Sequence, residues 1–275
     1  WIERDNTVKE PTKRQYKNLV DKLTKFKGKE IGISQIDVSF VTEFDNFLHS
    51  KNLSVNTIDK YHKNLKKFLN VAINRGLYQR DAYPYYKFKS KKEKTIRHFL
   101  TEVELKIFEK MDVSSDPKLH LFKLAFLFSC YTGARHGDTF SFTKNDFDVD
   151  GKEYNLKLKA EKTNKYDILP ISSLFNNKVA GILKEVWKED GTELFGKFTN
   201  QYTNRKLKDL EEFHKIEKKI TFHMARHTFG TILAKKFPNN IVGKFMQHSK
   251  SETTQVYVHL GASALEKLGK EAEWD

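Results

Sequence analysis

One stretch of this chain keeps a hydrophobic period of two, while most of the rest keeps the period of a helix. In YNLKLKA, Tyr154, Leu156, Leu158 and Ala160 alternate with Asn155, Lys157 and Lys159, the pattern of a half-buried strand. The polar EKTNKY makes a turn and DILPIS returns, so the region predicts a β-hairpin with Lys162 near its tip. A single hairpin among helices constrains the chain to a mainly α fold with a small β-sheet (α+β).

The helical segments fall in two groups. TKRQYKNLVDKLTKF spaces Tyr16, Leu19, Val20, Leu23 and Phe26 along one face, and VSFVTEFDNFLH does the same with Phe40, Phe44, Phe47 and Leu48. A third helix, closed by Arg75-Gly76, carries Ile58, Tyr61, Leu65, Phe68, Leu69 and Ala72 on its stripe, with Lys60, Lys63, Lys66 and Lys67 largely off it. These aromatics read as the core of a helical bundle over residues 1–80. DAYPYYKFKSKKEKTIRH has no helical period and reads as an interdomain linker over 81–97, rich in lysines such as Lys89, Lys91 and Lys92. A second domain over 98–275 opens with Thr101 and Glu104 in a capping-box spacing. It continues with the apolar helix DPKLHLFKLAFLFSCYT, the hairpin, and helices over 172–188, 202–217 and 222–236. Short helical pieces finish it, the last around 263–271.

Charge separates the same two parts. Residues 1–94 hold 21 Lys+Arg against 11 acids, a net +10, and the remainder contributes +4 of the total +14. A cationic leading module points to a polyanionic partner, nucleic acid before any other. The lone Cys130, in the apolar run LAFLFSCY, excludes an intrachain disulfide framework and a multi-cysteine zinc site, and reads as a buried structural thiol. The sequence supplies no carboxylate cluster suited to a metal, and no metal or cofactor is expected. No apolar run nears the ~20 residues of a membrane span and no signal peptide opens the chain, so a cytoplasmic protein is expected. The start at Trp1 without methionine is read as a preceding segment removed.

FHMARHTFGT, residues 222–231, holds the densest chemistry. His223 and Arg226, three residues apart, share a helix face. A guanidinium matches phosphate geometry in a bidentate way and keeps its charge, and a histidine can donate to the same phosphate or move a proton. By itself His-x-x-Arg is weak evidence. Arg135, after YTGA in a glycine turn, supplies a second cation for the charge that gathers on phosphoryl oxygens during transfer.

The order of motifs adds the context. YTGARHGDTFSFTKNDF, AEKTNKYDILPIS, FHMARHTFGTILAKK and FMQHSKSETTQVYVHL follow one another across Tyr131 to Leu260, about half the chain. In this the chain resembles the tyrosine recombinases, the phage-integrase and Xer-type site-specific recombinases. The resemblance implies Tyr257 as nucleophile in a 3′-phosphotyrosyl intermediate and Arg135 and Arg226 as phosphate clamps. It implies Lys162 as general acid on the leaving 5′-oxygen, His223 assisting proton transfer, and His248 as a hydrogen-bond donor to a phosphate oxygen. Asp138 stands where the family often has glutamate, and ranks as supporting. Gln247 stands where glycine is common before the second histidine. His227 reads as structural, because it is adjacent to Arg226 and points elsewhere.

The resemblance further implies an N-terminal core-binding (SAM-like) bundle and a catalytic domain closing as a C-shaped clamp on double-stranded DNA, with Lys60, Lys63, Lys66, Lys67, Lys89, Lys91 and Lys92 toward the backbone. It implies a monomer in solution, a homotetramer in synapsis, a C-terminal helix docked on its own or a neighbouring protomer, and accessory DNA-bending factors as possible partners. An integrase of a phage or of a conjugative or transposable element is the first expectation. The alternatives are a type IB topoisomerase and a non-catalytic DNA-binding protein of the same fold. The second of these predicts loss of a clamp residue or of the tyrosine, and all six positions are occupied.

Overall fold

The computed structural model describes residues 8–29, 31–94, 98–151, 153–159, 166–214, 218–246 and 269–270. The chain divides into two compact units, Trp1–Ile96 and Arg97–Asp275. The described residues are mainly helical with one small sheet, as the hydrophobic periods require. No helix among the described residues is long and apolar enough to cross a membrane.

The first unit packs α1 (Glu10–Lys27), α2 (Val38–Ser50) and α3 (Val55–Asn74). Asp37 caps α2 by accepting from the Phe40 N–H at 2.7 Å, and Ser54 caps α3 through Thr57, each satisfying an orphan amide of a first turn. Leu19, Phe44, Leu48, Leu65 and Leu69 meet in the core. Val20, expected on the buried stripe of α1, is 46% exposed. The stripe is narrower than the sequence suggests because α1 packs on its neighbours through Tyr16 and Leu19.

Residues 81–94, read from the sequence as a linker, differ from that expectation. They form two short 3-10 turns, Arg80–Ala82 and Pro84–Tyr86, and bury Pro84 and Tyr85 against this unit. A buried histidine that no periodicity exposed explains why. His62 on α3 accepts or donates at 2.9 Å to the Tyr85 hydroxyl through Nδ1 and to Asp45 through Nε2. A polar ring in an apolar core requires such partners, and the aromatic segment supplies one of them.

In the second unit the capping box is present, with Thr101 and Glu104 bonding reciprocally at the start of α4 (Glu102–Lys110). The central element is α5 (Pro117–Thr132), buried from Phe122 to Thr132, as expected of a helix apolar on every side. Its one buried cation, Lys123, is 7% exposed and donates to the carbonyl oxygens of Glu109 and Met111. It thereby caps the C-terminal end of α4. Cys130, two turns further along α5, is fully buried, and burial pushes its thiol pKa well up.

After the short α6 (His136–Thr139) come β1 (Phe147–Asp150), β2 (Glu153–Lys159) and β3 (Tyr166–Leu169), an antiparallel sheet in the order β1-β2-β3. Leu156 pairs with Phe147 on one side and Leu169 on the other, and all three face the core. The hairpin is thus present, joined by a third strand that the sequence did not signal. β1 is four residues with only Phe147 buried, too short for a period to register.

The helix expected over 172–188 is interrupted. Phe175, Asn176 and Asn177 have φ of 51°, 52° and 58°, a left-handed region that asparagine tolerates better than most residues. A helix, α7, begins only at Lys178 and runs to Val186. α8 (Asn200–His214), α9 (Phe222–Lys236) and α10 (Asn239–Phe245) complete the unit, with α9 packed along α5.

Candidate active site

The site is built where α5 stops. Gly133, with φ of 69°, ends α5 in a left-handed C-cap whose N–H donates to Ser129 at 2.9 Å. Glycine is required there for a second reason: a Cβ would lie 2.5 Å from the Phe229 ring of α9. The Ser129 hydroxyl donates to the Ala134 carbonyl at 2.7 Å, and the Thr132 hydroxyl accepts from the Ala134 N–H at 3.3 Å. Both side chains are buried, so the turn is held from inside the core.

Arg135 follows as the N-cap residue of α6 and is half exposed, with Nη1 3.9 Å from Asp138. Arg135 and Asp138 thus form a long, solvent-exposed ion pair across one helical turn. His136, to which the sequence assigned no role, anchors α6. Its Nε2 lies 2.9 Å from the buried Thr203 hydroxyl of α8, and its ring packs on Phe140 and Phe222 at 4.6 and 5.1 Å. Burial lowers its pKa, which favours the neutral ring.

Arg226 approaches from α9 and is 6% exposed. Its Nη1 donates to the Gly133 carbonyl and its Nη2 to the Met246 carbonyl after α10. Burial first, then the positive charge of Arg135, draws its pKa down to about 10, while Asp138 opposes them. It stays cationic at neutral pH. Two guanidiniums that repel one another, one buried and one half exposed, are chemically suited to an anion.

His223, three residues before Arg226, is exposed on the same helix. The sequence missed its relation to His227. The rings lie 4.5 Å apart at 76°, as the i,i+4 spacing on one helix face implies. Lys162, His248 and Tyr257 lie outside the described residues. The strands β2 and β3 lead to Lys162, and α10 leads to His248. Tyr131 and Tyr154 are both buried.

The expected DNA-facing lysines divide by partner. Lys60, Lys89, Lys91 and Lys92 are exposed. Lys63 pairs with Asp59 at 2.9 Å. Lys66 lies over the Tyr85 ring at 4.7 Å, and Lys67 over Tyr16, donating to its hydroxyl.

The comparisons with known proteins divide the chain at the same place. A model of the phage integrase SAM-like domain matches residues 2–92, and the model of the phage integrase family matches residues 97–263. The chain belongs to the phage integrase family. Among relatives within the tyrosine recombinases, XerH of Campylobacter jejuni is 26% identical over 244 residues, covering 85% of this chain. The match spans 63% of the length of that recombinase. XerC of Pediococcus pentosaceus is 22% identical over 94% of this chain and 90% of its own. The integrase fold is also that of the Tn1549 transposon integrase (residues 82–397) in complex with circular intermediate DNA, with a TM-score of 0.70, 20% identity, and coverage of 97% of this chain and 95% of that one.

Proposed function

We propose that the chain is a site-specific DNA recombinase, an integrase of a mobile element, that cuts and rejoins double-stranded DNA through Tyr257. The observation that carries this reading is the pairing of Arg226 with Arg135. A buried guanidinium held by two main-chain carbonyls sits beside a second, solvent-facing one, in a chain of the integrase family. Such a pair is preorganised for the charge that builds on the non-bridging oxygens of a phosphodiester under attack.

In the proposed reaction the Tyr257 oxygen attacks the scissile phosphorus, the bond from phosphorus to the 5′-oxygen breaks, and Lys162 gives its proton to that leaving oxygen. His223 assists the proton transfer, His248 donates to a phosphoryl oxygen, and Asp138 orients Arg135. A free tyrosine has a pKa of about 10, so the cationic site also assists its deprotonation. The phosphotyrosyl bond retains the energy of the broken one, and attack by a new 5′-hydroxyl rejoins DNA without ATP. The helical unit, with its net +10, grips the duplex backbone. The protein works in the cytoplasm as a monomer that assembles into a tetramer at synapsis, with accessory DNA-bending proteins as further partners. The Tn1549 integrase, whose structure contains DNA, supports the choice of partner.

The test needs no known target site. The protein is expressed in cells, lysed in SDS, and covalent protein–DNA adducts are collected. Adducts from wild type and none from Tyr257→Phe, with duplex binding retained, are expected. Their ends, sequenced, give the site. Adducts that persist in Tyr257→Phe would assign the nucleophile elsewhere.

A further inference from the structure

The lysine-rich segment that follows Tyr86 is not a loose tail on the helical unit. Phe88 packs on the His62 ring at 5.0 Å and on Tyr85 at 6.0 Å. The Ser90 hydroxyl donates to Asp59 Oδ1 at 2.7 Å. Asn56 and the Glu93 backbone bond reciprocally: Asn56 Nδ2 donates to the Glu93 carbonyl at 3.1 Å, and the Glu93 N–H donates to Asn56 Oδ1 at 3.2 Å. Asn56, Asp59 and Lys63 lie at i, i+3 and i+7 on α3, so they form one stripe. The segment is therefore strapped along that stripe in a single register.

The charges are arranged to the same end. Residues 87–94 contain Lys87, Lys89, Lys91, Lys92 and Lys94 with one acid, Glu93, and they lie against a helix carrying Lys60, Lys63, Lys66 and Lys67. Two lysine rows repel unless something between them is negative. Asp59 is that group. It is 5% exposed, and it spends one oxygen on Ser90 and the other on Lys63 at 2.9 Å. Its two partners come one from the strap and one from α3, so the carboxylate joins the two.

We propose that Asn56 and Asp59 are positioning residues for DNA binding: they dock the 88–94 strap on α3 so that Lys60, Lys91 and Lys92 present one preformed cationic surface to the phosphate backbone of a duplex. This rests on the reading of the helical unit as a DNA-binding module. A preformed surface spares the ordering cost of several long side chains and of the strap itself when DNA arrives. Because the contacts are to phosphate, the effect is independent of base sequence.

The experiment measures binding of the full chain to a fluorescent mixed-sequence duplex across a salt series. It compares wild type, Asn56→Ala, Asp59→Asn and Ser90→Ala, each alone and combined with Lys91→Gln/Lys92→Gln. Ser90→Ala cuts the strap from its own side and leaves α3 intact, which covers the case in which an α3 variant fails to fold. Each single variant is expected to weaken binding about two- to tenfold, the size of one or two lost hydrogen bonds. Glu93 amide exchange is expected to quicken in Asn56→Ala. In the Lys91→Gln/Lys92→Gln background the three substitutions are expected to have no further effect, because their action runs through those lysines. Undiminished losses in that background overturn the proposal in favour of a purely structural role. Wild-type affinity in all three single variants, or in Lys91→Gln/Lys92→Gln itself, overturns it as well. A wild-type chain that binds no duplex would instead remove the DNA-binding reading beneath it.

Discussion

Arg226 donates from Nη1 to the carbonyl oxygen of Gly133, so one guanidinium of the site holds the turn that presents the other. The two residues stand 93 positions apart. The second bond, to the Met246 carbonyl, ties the same guanidinium to the end of α10, immediately before the segment that leads to His248 and Tyr257. A planar fork with several donors can serve both carbonyls at once, and an ammonium on a flexible stem cannot.

Arg226→Lys is therefore expected to be severe although it keeps the charge. Covalent adduct formation should fall by about 10²-fold or more, the scale of losing a preorganised electrostatic contact. Duplex affinity should fall far less, since the lysine rows lie in the other unit. Adduct yield and anisotropy on the same preparation decide it. Wild-type adduct formation would remove Arg226 from the site.

Gly133→Ala tests the turn itself. A Cβ there sits at a φ of 69° and 2.5 Å from the Phe229 ring. The left-handed conformation costs roughly 1–2 kcal/mol, and the clash costs about 1–3 kcal/mol more. The urea midpoint should drop accordingly. Phe229→Leu in the same molecule should recover part of the loss, because it relieves the clash and leaves the backbone cost. A neutral Gly133→Ala would mean the turn is soft.

Lys123→Met tests the buried cap. It keeps the apolar stem but removes the donor shared by the Glu109 and Met111 carbonyls. Leaving buried acceptors without a partner costs about 1–3 kcal/mol, to be read as a fall in urea stability. A change within about 0.5 kcal/mol, the usual range for a surface substitution, would show that the carbonyls find other donors.

Asp59 gives a pH signature. Burial raises its pKa, but hydrogen bonds from Ser90 and Lys63 outweigh this and hold the carboxyl below its ordinary value. A depressed folded pKa contributes stability above the unfolded value of about 3.9, and that contribution disappears as pH falls through the lower folded value. Acidification from about pH 5 toward pH 3 should thus erode the stability difference between wild type and Asp59→Asn. A difference that stays constant across that window would show that the carboxylate charge is not what holds the strap.

The sequence by itself determined most of the long helical segments, where several of them start, and which family the chain resembles. Those are local properties: the spacing of Phe40, Phe44 and Phe47, the cap of Thr101 by Glu104, the alternation of Tyr154 and Leu156, and the order of Arg135, His223 and Arg226. Each is decided by residues within a turn or two, or by linear order. Tertiary structure decided what those residues do to one another. That Arg226 is buried and grips Gly133, that His136 is pinned by Thr203, that His62 draws Tyr85 into the core, and that Asn56 and Asp59 strap a supposed linker to α3 are all contacts between distant parts of the chain. A buried polar group must find a partner wherever the fold offers one. No periodicity records which partner that will be, because the choice is made by which surfaces meet once the helices have packed.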